Sequence, residues 1–242
     1  MLRIEHFTKR FGDTVAVRDL SLHIEKGEIY GFIGHNGAGK TTTLKACAGI
    51  LAPDEGDIYI DGISIRENPL SVKKRIAYLP DNPDLYSFLT GVQYLHFIAD
   101  VFAIPTDMRN EKIASLAAKF RLTDALAGQV STYSHGMKQR LALIAAFLHE
   151  PRLILMDEPF VGLDPQASHL LKDLMHEHCA AGGAIFFSTH VLDVAERLCD
   201  KIAIIKRGEL LRAGKTADVK GDESLEDAFL ELVDPTASDT EE

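Results

Sequence analysis

Alternating apolar positions open the chain. Leu2, Ile4 and Phe7, then Val15, Val17, Leu20, Leu22 and Ile24, keep the two-residue period of half-buried β-strands, with polar turns at Gly12-Asp13 and Lys26-Gly27. The alternation stops at Glu28–Ile33, a short apolar run that predicts a strand buried on both faces. It leads into glycines and then a predicted helix from about Lys40 to Ile50. Ile58–Ile60 and Ile76–Leu79 predict further strands, the second stopped by Pro80. The period then becomes helical. Tyr94, Leu95, Ile98, Val101 and Phe102 predict one stripe, Ile104-Pro105 interrupts it, and Ile113, Leu116, Ala117 and Phe120 predict a second helix.

Roughly 83–150 therefore reads as a helical subdomain inserted into an α/β body. Strands return at Leu153–Met156, Ala184–Phe187 and Ile202–Ile205, separated by predicted helices from about Pro165 to Ala181 and Val191 to Cys199. Strand–helix alternation predicts a parallel sheet with helical crossovers. Leu225, Phe229, Leu232 and Val233 make a last helical stripe, so 1–233 reads as one domain and 234–242 as a frayed acidic tail.

Composition narrows the class. With 242 residues, 46% apolar and 26% charged, the chain has material for a real core, which excludes collagen-like and wholly disordered readings. No uncharged apolar stretch reaches the ~18 residues of a membrane span, and Met1–Glu5 lacks the apolar core of a secretion signal. Cys47, Cys179 and Cys199 show no metal-ligand spacing, which fits a reducing compartment. The net charge of −10 is concentrated at the end: ten acids and one lysine lie between Ala217 and Glu242, leaving a nearly neutral body. Such a surface is a poor match for nucleic acid.

Three segments carry chemistry. Gly34-His35-Asn36-Gly37-Ala38-Gly39-Lys40-Thr41 fits G-x-x-x-x-G-K-[ST] between a buried strand and a helix start. Glycines let backbone N–H groups close around phosphate oxygens, Lys40 brings positive charge to the β- and γ-phosphates, and the Thr41 hydroxyl suits Mg²⁺. Leu153-Ile154-Leu155-Met156-Asp157-Glu158-Pro159 is an apolar strand ending in two carboxylates, at the strand edge where open α/β sheets bind ligands. Asp157 suits the metal and Glu158 suits polarising a water. Ser134 is a good N-cap for a helix running to about Leu148, and the small Gly136 leaves its amide end bare for an anion.

The order of these motifs, with Tyr133-Ser134-His135-Gly136-Met137, Gly162-Leu163-Asp164-Pro165 and Ser188-Thr189-His190, resembles the ATP-binding subunits of ABC transporters along nearly the whole chain. Tyr-Ser-x-Gly-Met-Lys-Gln and Asp-Glu-Pro-Phe-x-Gly-Leu-Asp-Pro are similar to the bacterial export-type branch, including bacitracin- or multidrug-type and Ecs-type ATPases. The resemblance implies a P-loop NTPase fold of ABC type: a mixed sheet core, an N-terminal antiparallel β subdomain and an inserted helical subdomain. It implies ATP and Mg²⁺ as ligands and ATP hydrolysis as the activity. It further implies pairing of two such subunits, a transmembrane permease partner, and a place at the cytoplasmic face of the membrane.

Residue by residue, the resemblance puts Phe11 on adenine and Gly34 to Thr41, with Thr42, on the phosphates. It puts Ser134 and Gly136 on the γ-phosphate of ATP held by the other subunit, and Asp164 in the loop coupling two sites. Asp157 becomes the metal acid, Glu158 the general base and His190 the switch histidine. Two departures stand out: Asp81 replaces the usual glutamine after the strand ending at Leu79-Pro80, and His135 and Met137 replace a glycine and a glutamine of the signature. The acid could reach a metal shell through water but cannot donate an amide hydrogen bond. The stretch Asp81–Phe88 with Tyr94 and Phe97 is the expected dock for a membrane subunit. A soluble ABC-type ATPase without a transport role is the alternative. Against it, only 94 positions separate Lys40 from Ser134, too few for the long coiled coils of chromosome and repair proteins, and there is one cassette.

Overall fold

The computed structural model describes residues 1–233; the expected acidic tail, 234–242, lies outside the described residues. Strands β1 (Leu2–Phe11) and β2 (Thr14–Ile24) form an antiparallel hairpin. Their apolar positions change parity midway, from Ile4 to Phe7 and from Val17 to Leu20. Register shifts absorb the change, with His6 and Asp19 in left-handed backbone (φ 51 and 48), so both halves of each strand face inward.

β3 (Ile29–Ile33) is buried along its whole length and leads to α1 (Lys40–Cys47). That helix ends earlier than predicted because Gly49, at φ 66, takes the left-handed turn that closes it. β4 (Glu55–Ile60) and β5 (Ile63–Ser64) complete a four-stranded antiparallel sheet in the order β2-β1-β4-β5. A short α2 (Pro69–Lys73) precedes β6 (Ile76–Leu79).

The inserted helices follow: α3 (Gly91–Val101), α4 (Thr106–Lys119) and α5 (His135–Leu148). Thr90 opens α3 with a reciprocal cap. Its hydroxyl accepts from the Gln93 N–H at 3.3 Å, and the Gln93 side chain accepts from the Thr90 N–H at 2.9 Å. Val101, expected on the buried stripe, is exposed, and Ala99 takes the buried position. β7 (Leu153–Asp157), α6 (Pro165–Ala180), β8 (Ala184–Thr189), α7 (Leu192–Leu198) and β9 (Lys201–Lys206) alternate as predicted. β10 (Glu209–Lys215), α8 (Thr216–Lys220) and α9 (Leu225–Val233) close the described chain. The first part of the acidic end, which composition groups with the tail, is therefore helical and packed.

The six-stranded sheet runs β10-β9-β3-β8-β7-β6, parallel throughout except for β10. Its central strands divide their side chains between two cores. Tyr30, Phe32, Leu153, Leu155 and Phe186 join α1 and the antiparallel sheet, while Ile29, Ile33, Ile154, Met156, Ile185 and Phe187 join the helices of the other face. Each fully buried large side chain contributes about 1.5–3 kcal/mol, more than the ~1 kcal/mol span of β-propensity. Double burial thus explains why these strands read as continuous apolar runs. All four central parallel strands end on one edge, where the candidate chemistry collects.

Candidate nucleotide site

The turn from β3 into α1 is built on close backbone approach. Gly37 and Gly39 have φ 80 and 108, and a Cβ on Gly39 would stand 2.7 Å from the Ala16 carbonyl oxygen. A Cβ on Gly34 would collide with the Ile205 carbonyl at the end of β9. Only glycine fits these positions. Lys40, 6% exposed, folds back over the loop, its Nζ donating to the Gly34 carbonyl at 2.6 Å and the His35 carbonyl at 3.2 Å. Burial pulls its pKa down, opposed by the nearby Glu158 and Asp157 carboxylates. The loop from His35 to Thr42 borders a hollow of about 330 Å³ together with Ala16, Asp81, Asp157 and Glu158.

Asp157 ends β7 and is 2% exposed. One carboxylate oxygen accepts from the Thr41 hydroxyl at 2.6 Å, the other from the Ser188 hydroxyl at 2.5 Å. Glu158 follows in left-handed backbone (φ 49), an outlier of the kind that clusters at functional sites. Its carboxylate lies 3.0 Å from Nδ1 of His190 and 3.8 Å from Nζ of Lys40. The Tyr78 hydroxyl is buried nearby without a hydrogen-bond partner. Burial first, then the charges of Asp157 and Asp81, raises its pKa. Among the described residues no three His, Cys, Asp or Glu side chains form a metal cage. The donor set instead suits a hard cation that takes oxygens from Thr41 and Asp157 and the rest from phosphate and water, as Mg²⁺ does.

The other predicted residues lie elsewhere. Ser134 caps α5, its Oγ accepting from the Met137 N–H at 3.3 Å. Asp164 caps α6, accepting from the Ala167 N–H at 2.8 Å, and pairs with Arg140 of α5. The Ala167 N–H, with Arg140 adding charge, holds the Asp164 carboxyl below its usual range. A Cβ on Gly136 would lie 3.2 Å from the Gly162 carbonyl, and one on Gly162 would lie 2.6 Å from the His135 ring. The signature turn and the 159–164 loop are thus one packed unit. None of Ser134, Gly136 and Asp164 borders the phosphate-loop hollow. Phe11, half exposed, also stands apart from it. The Lys9 ammonium sits 5.6 Å from its ring centroid, so it does not pack into the core beside the fully buried Phe7.

Beyond the hollow, Tyr86 gathers Phe88, Tyr94 and Phe97 with ring centroids 5.5–6.3 Å away. Tyr86, Phe88 and Phe97 are exposed. Motif reading missed the bonding role of Ser188; its only signal was its place two residues before His190.

Comparison with known proteins agrees with this arrangement. A family model described as "ABC transporter" matches residues 17–161. The chain is 33% identical over 237 residues to the ABC-type transporter ATP-binding protein EcsA of Bacillus subtilis, covering 96% of each. A solved structure described as the ATP-binding subunit of an ABC transporter superposes with a TM-score of 0.92 at 34% identity, covering 96% of this chain and 99% of that one. The cbiO1 protein of Clostridium perfringens, described as part of the ABC transporter complex cbiONQ, gives a TM-score of 0.79 at 25% identity over 98% and 96%. No described helix is long and apolar enough to cross a membrane. Motifs, edge chemistry and relatives alike along nearly their whole length converge: the chain belongs to the ABC transporter family, as an ATP-binding subunit that hydrolyses ATP.

Proposed function

We propose that two copies of this fold close face to face over two ATP molecules, each held between the phosphate loop of one copy and the Ser134–Gly136 turn of the other. One observation carries the reading. The capped, glycine-bearing start of α5 does not border the hollow formed by Lys40, Asp157 and Glu158 of its own chain. One chain offers two incomplete halves, and an isologous pair completes both.

Within each composite site, Lys40 exchanges its carbonyl bonds at Gly34 and His35 for phosphate oxygens, so the loop binds without first ordering that side chain. The amides of Gly34 to Thr42 surround the phosphates, and Phe11 offers its exposed ring to the base. Thr41 and Asp157 would hold Mg²⁺, which when bound would neutralise charge on the phosphates. Glu158 takes the proton of the attacking water, and His190 steadies the Glu158 carboxylate at 3.0 Å. Asp81 borders the same hollow as Glu158. Asp164, paired with Arg140, ties the signature turn of one site to the loop beyond Glu158 of the other.

Pair closure and opening would drive a separate transmembrane subunit, placing this chain at the cytoplasmic face of the membrane. The exposed aromatic group around Tyr86 is the dock. The description of cbiO1 as part of a transporter complex supports such a partner. Residues 1–233 form one ATPase domain with the helical subdomain at about 83–150.

A mixing experiment tests the pairing. Lys40→Ala removes the phosphate-loop half and Ser134→Arg blocks the signature half, so each variant alone is inactive. Mixed, the two chains assemble one site with both halves intact, and partial ATPase activity returns. A mixture as inactive as its components contradicts the reading.

A further inference from the structure

We propose that Ser188 is a positioning residue for hydrolysis, one hydroxyl fixing both Asp157 and Glu158. This rests on the roles given above to those two acids. Ser188 is fully buried near the end of β8, opposite Asp157 in the parallel β7–β8 register. A serine hydroxyl has one proton to donate and lone pairs to accept. The backbone N–H of Glu158 can only donate, and it does so to Ser188 Oγ at 3.2 Å and to the Ser188 carbonyl at 3.2 Å. The serine proton is therefore committed to Asp157, at 2.5 Å, a charge-assisted bond.

The consequence differs for the two acids. Asp157 has two hydroxyl donors, but that of Thr41 is itself a candidate metal ligand. Ser188 is the donor that can stay on Asp157 while Thr41 turns to a cation, and it fixes which carboxylate oxygen is left free. At Glu158, the same oxygen helps anchor the N–H of a residue in left-handed backbone, whose carboxylate must meet His190 and the water. Removing the hydroxyl loosens both acids together. Residues one shell out from a metal typically change affinity or activity ten- to a hundredfold.

The test compares Ser188→Ala, Ser188→Cys and Ser188→Thr in the full chain. Ser188→Ala should lower kcat about ten- to a hundredfold with a KM for ATP changed less than about threefold. Mn²⁺ affinity of the ADP complex, read by electron paramagnetic resonance, should weaken about tenfold, while the Tm of the nucleotide-free protein moves little. Ser188→Thr, which restores a hydroxyl, should recover most of both. Should Ser188→Ala fail to fold, Ser188→Cys carries the same test with a weak donor of similar size. Wild-type kcat and Mn²⁺ affinity in a folded Ala or Cys variant overturns the proposal, as does a folded Thr variant no better than Ala. Asp157→Asn and Glu158→Gln run in parallel separate the two levels. If they hydrolyse at wild-type rate, the underlying assignment of the acids fails; if they are slow and Ser188→Ala is not, only the role of Ser188 fails.

Discussion

Glu158 brings together the features expected of a general base: a carboxylate at a sheet edge, in strained left-handed backbone, facing a histidine and a buried lysine. Replacing it by the isosteric, non-basic glutamine should cost about 10²–10⁴-fold in turnover, while ATP still binds and paired chains accumulate. Single-turnover hydrolysis with a parallel nucleotide-binding titration checks this; an unchanged rate removes Glu158 from that role. Lys40, Thr41, Asp157 and Glu158, which border one hollow, are legible in the sequence because each sits in a contiguous segment whose residue types state their chemistry. The bond of Ser188 is not. Its partner is 31 positions away, and one serine in a strand carries no pattern until β7 and β8 are laid side by side. Phe11, which the resemblance puts on adenine, keeps its ring half exposed.

Among the elements, the buried strands and long helices followed their periodicity, whereas β10, α2 and α8 did not announce themselves. β10 is an edge strand with charges at Glu209, Arg212 and Lys215 and little burial, and the other two are single turns fixed by tertiary packing. Helix packing also sets a pH response. His149 ends α5, stacks on Phe102 with ring centroids 3.6 Å apart and contacts the Ile76 carbonyl at 3.1 Å. Burial lowers its pKa below the ordinary imidazole value of 6.5, and burial does the same to His178. The unfolded chain therefore takes up protons near that value while the folded one resists them. Their contribution to stability is complete above about pH 6.5 and declines as pH falls below it. The urea midpoint should drop between about pH 7.5 and 5.5. His149→Gln, which keeps an N–H donor but does not titrate, should flatten part of that slope; identical slopes would show that His149 does not contribute.

Across the protein, the sheet places the phosphate loop and both acids on one edge, and the helical insertion carries the signature turn and the aromatic group around Tyr86. That division is legible in outline from the helical stripe that begins at Tyr94. The contact of His135 and Arg140 with the 159–164 loop is not, because it joins segments far apart in sequence. If the aromatic group is the dock, Tyr86→Glu should abolish transport in vesicles containing the membrane subunit while leaving ATP affinity within about twofold, since a charge there opposes burial of the surface. Equal loss of ATP binding would place Tyr86 in the nucleotide fold instead.

Whether one molecule can turn over ATP by itself is the decisive property of a shared site. Specific ATPase activity, measured over a dilution series with the oligomeric state followed by analytical ultracentrifugation, answers this directly. Activity per molecule should fall with concentration and vanish as the chain becomes monomeric. A monomeric sample hydrolysing ATP at undiminished specific activity would contradict the shared site.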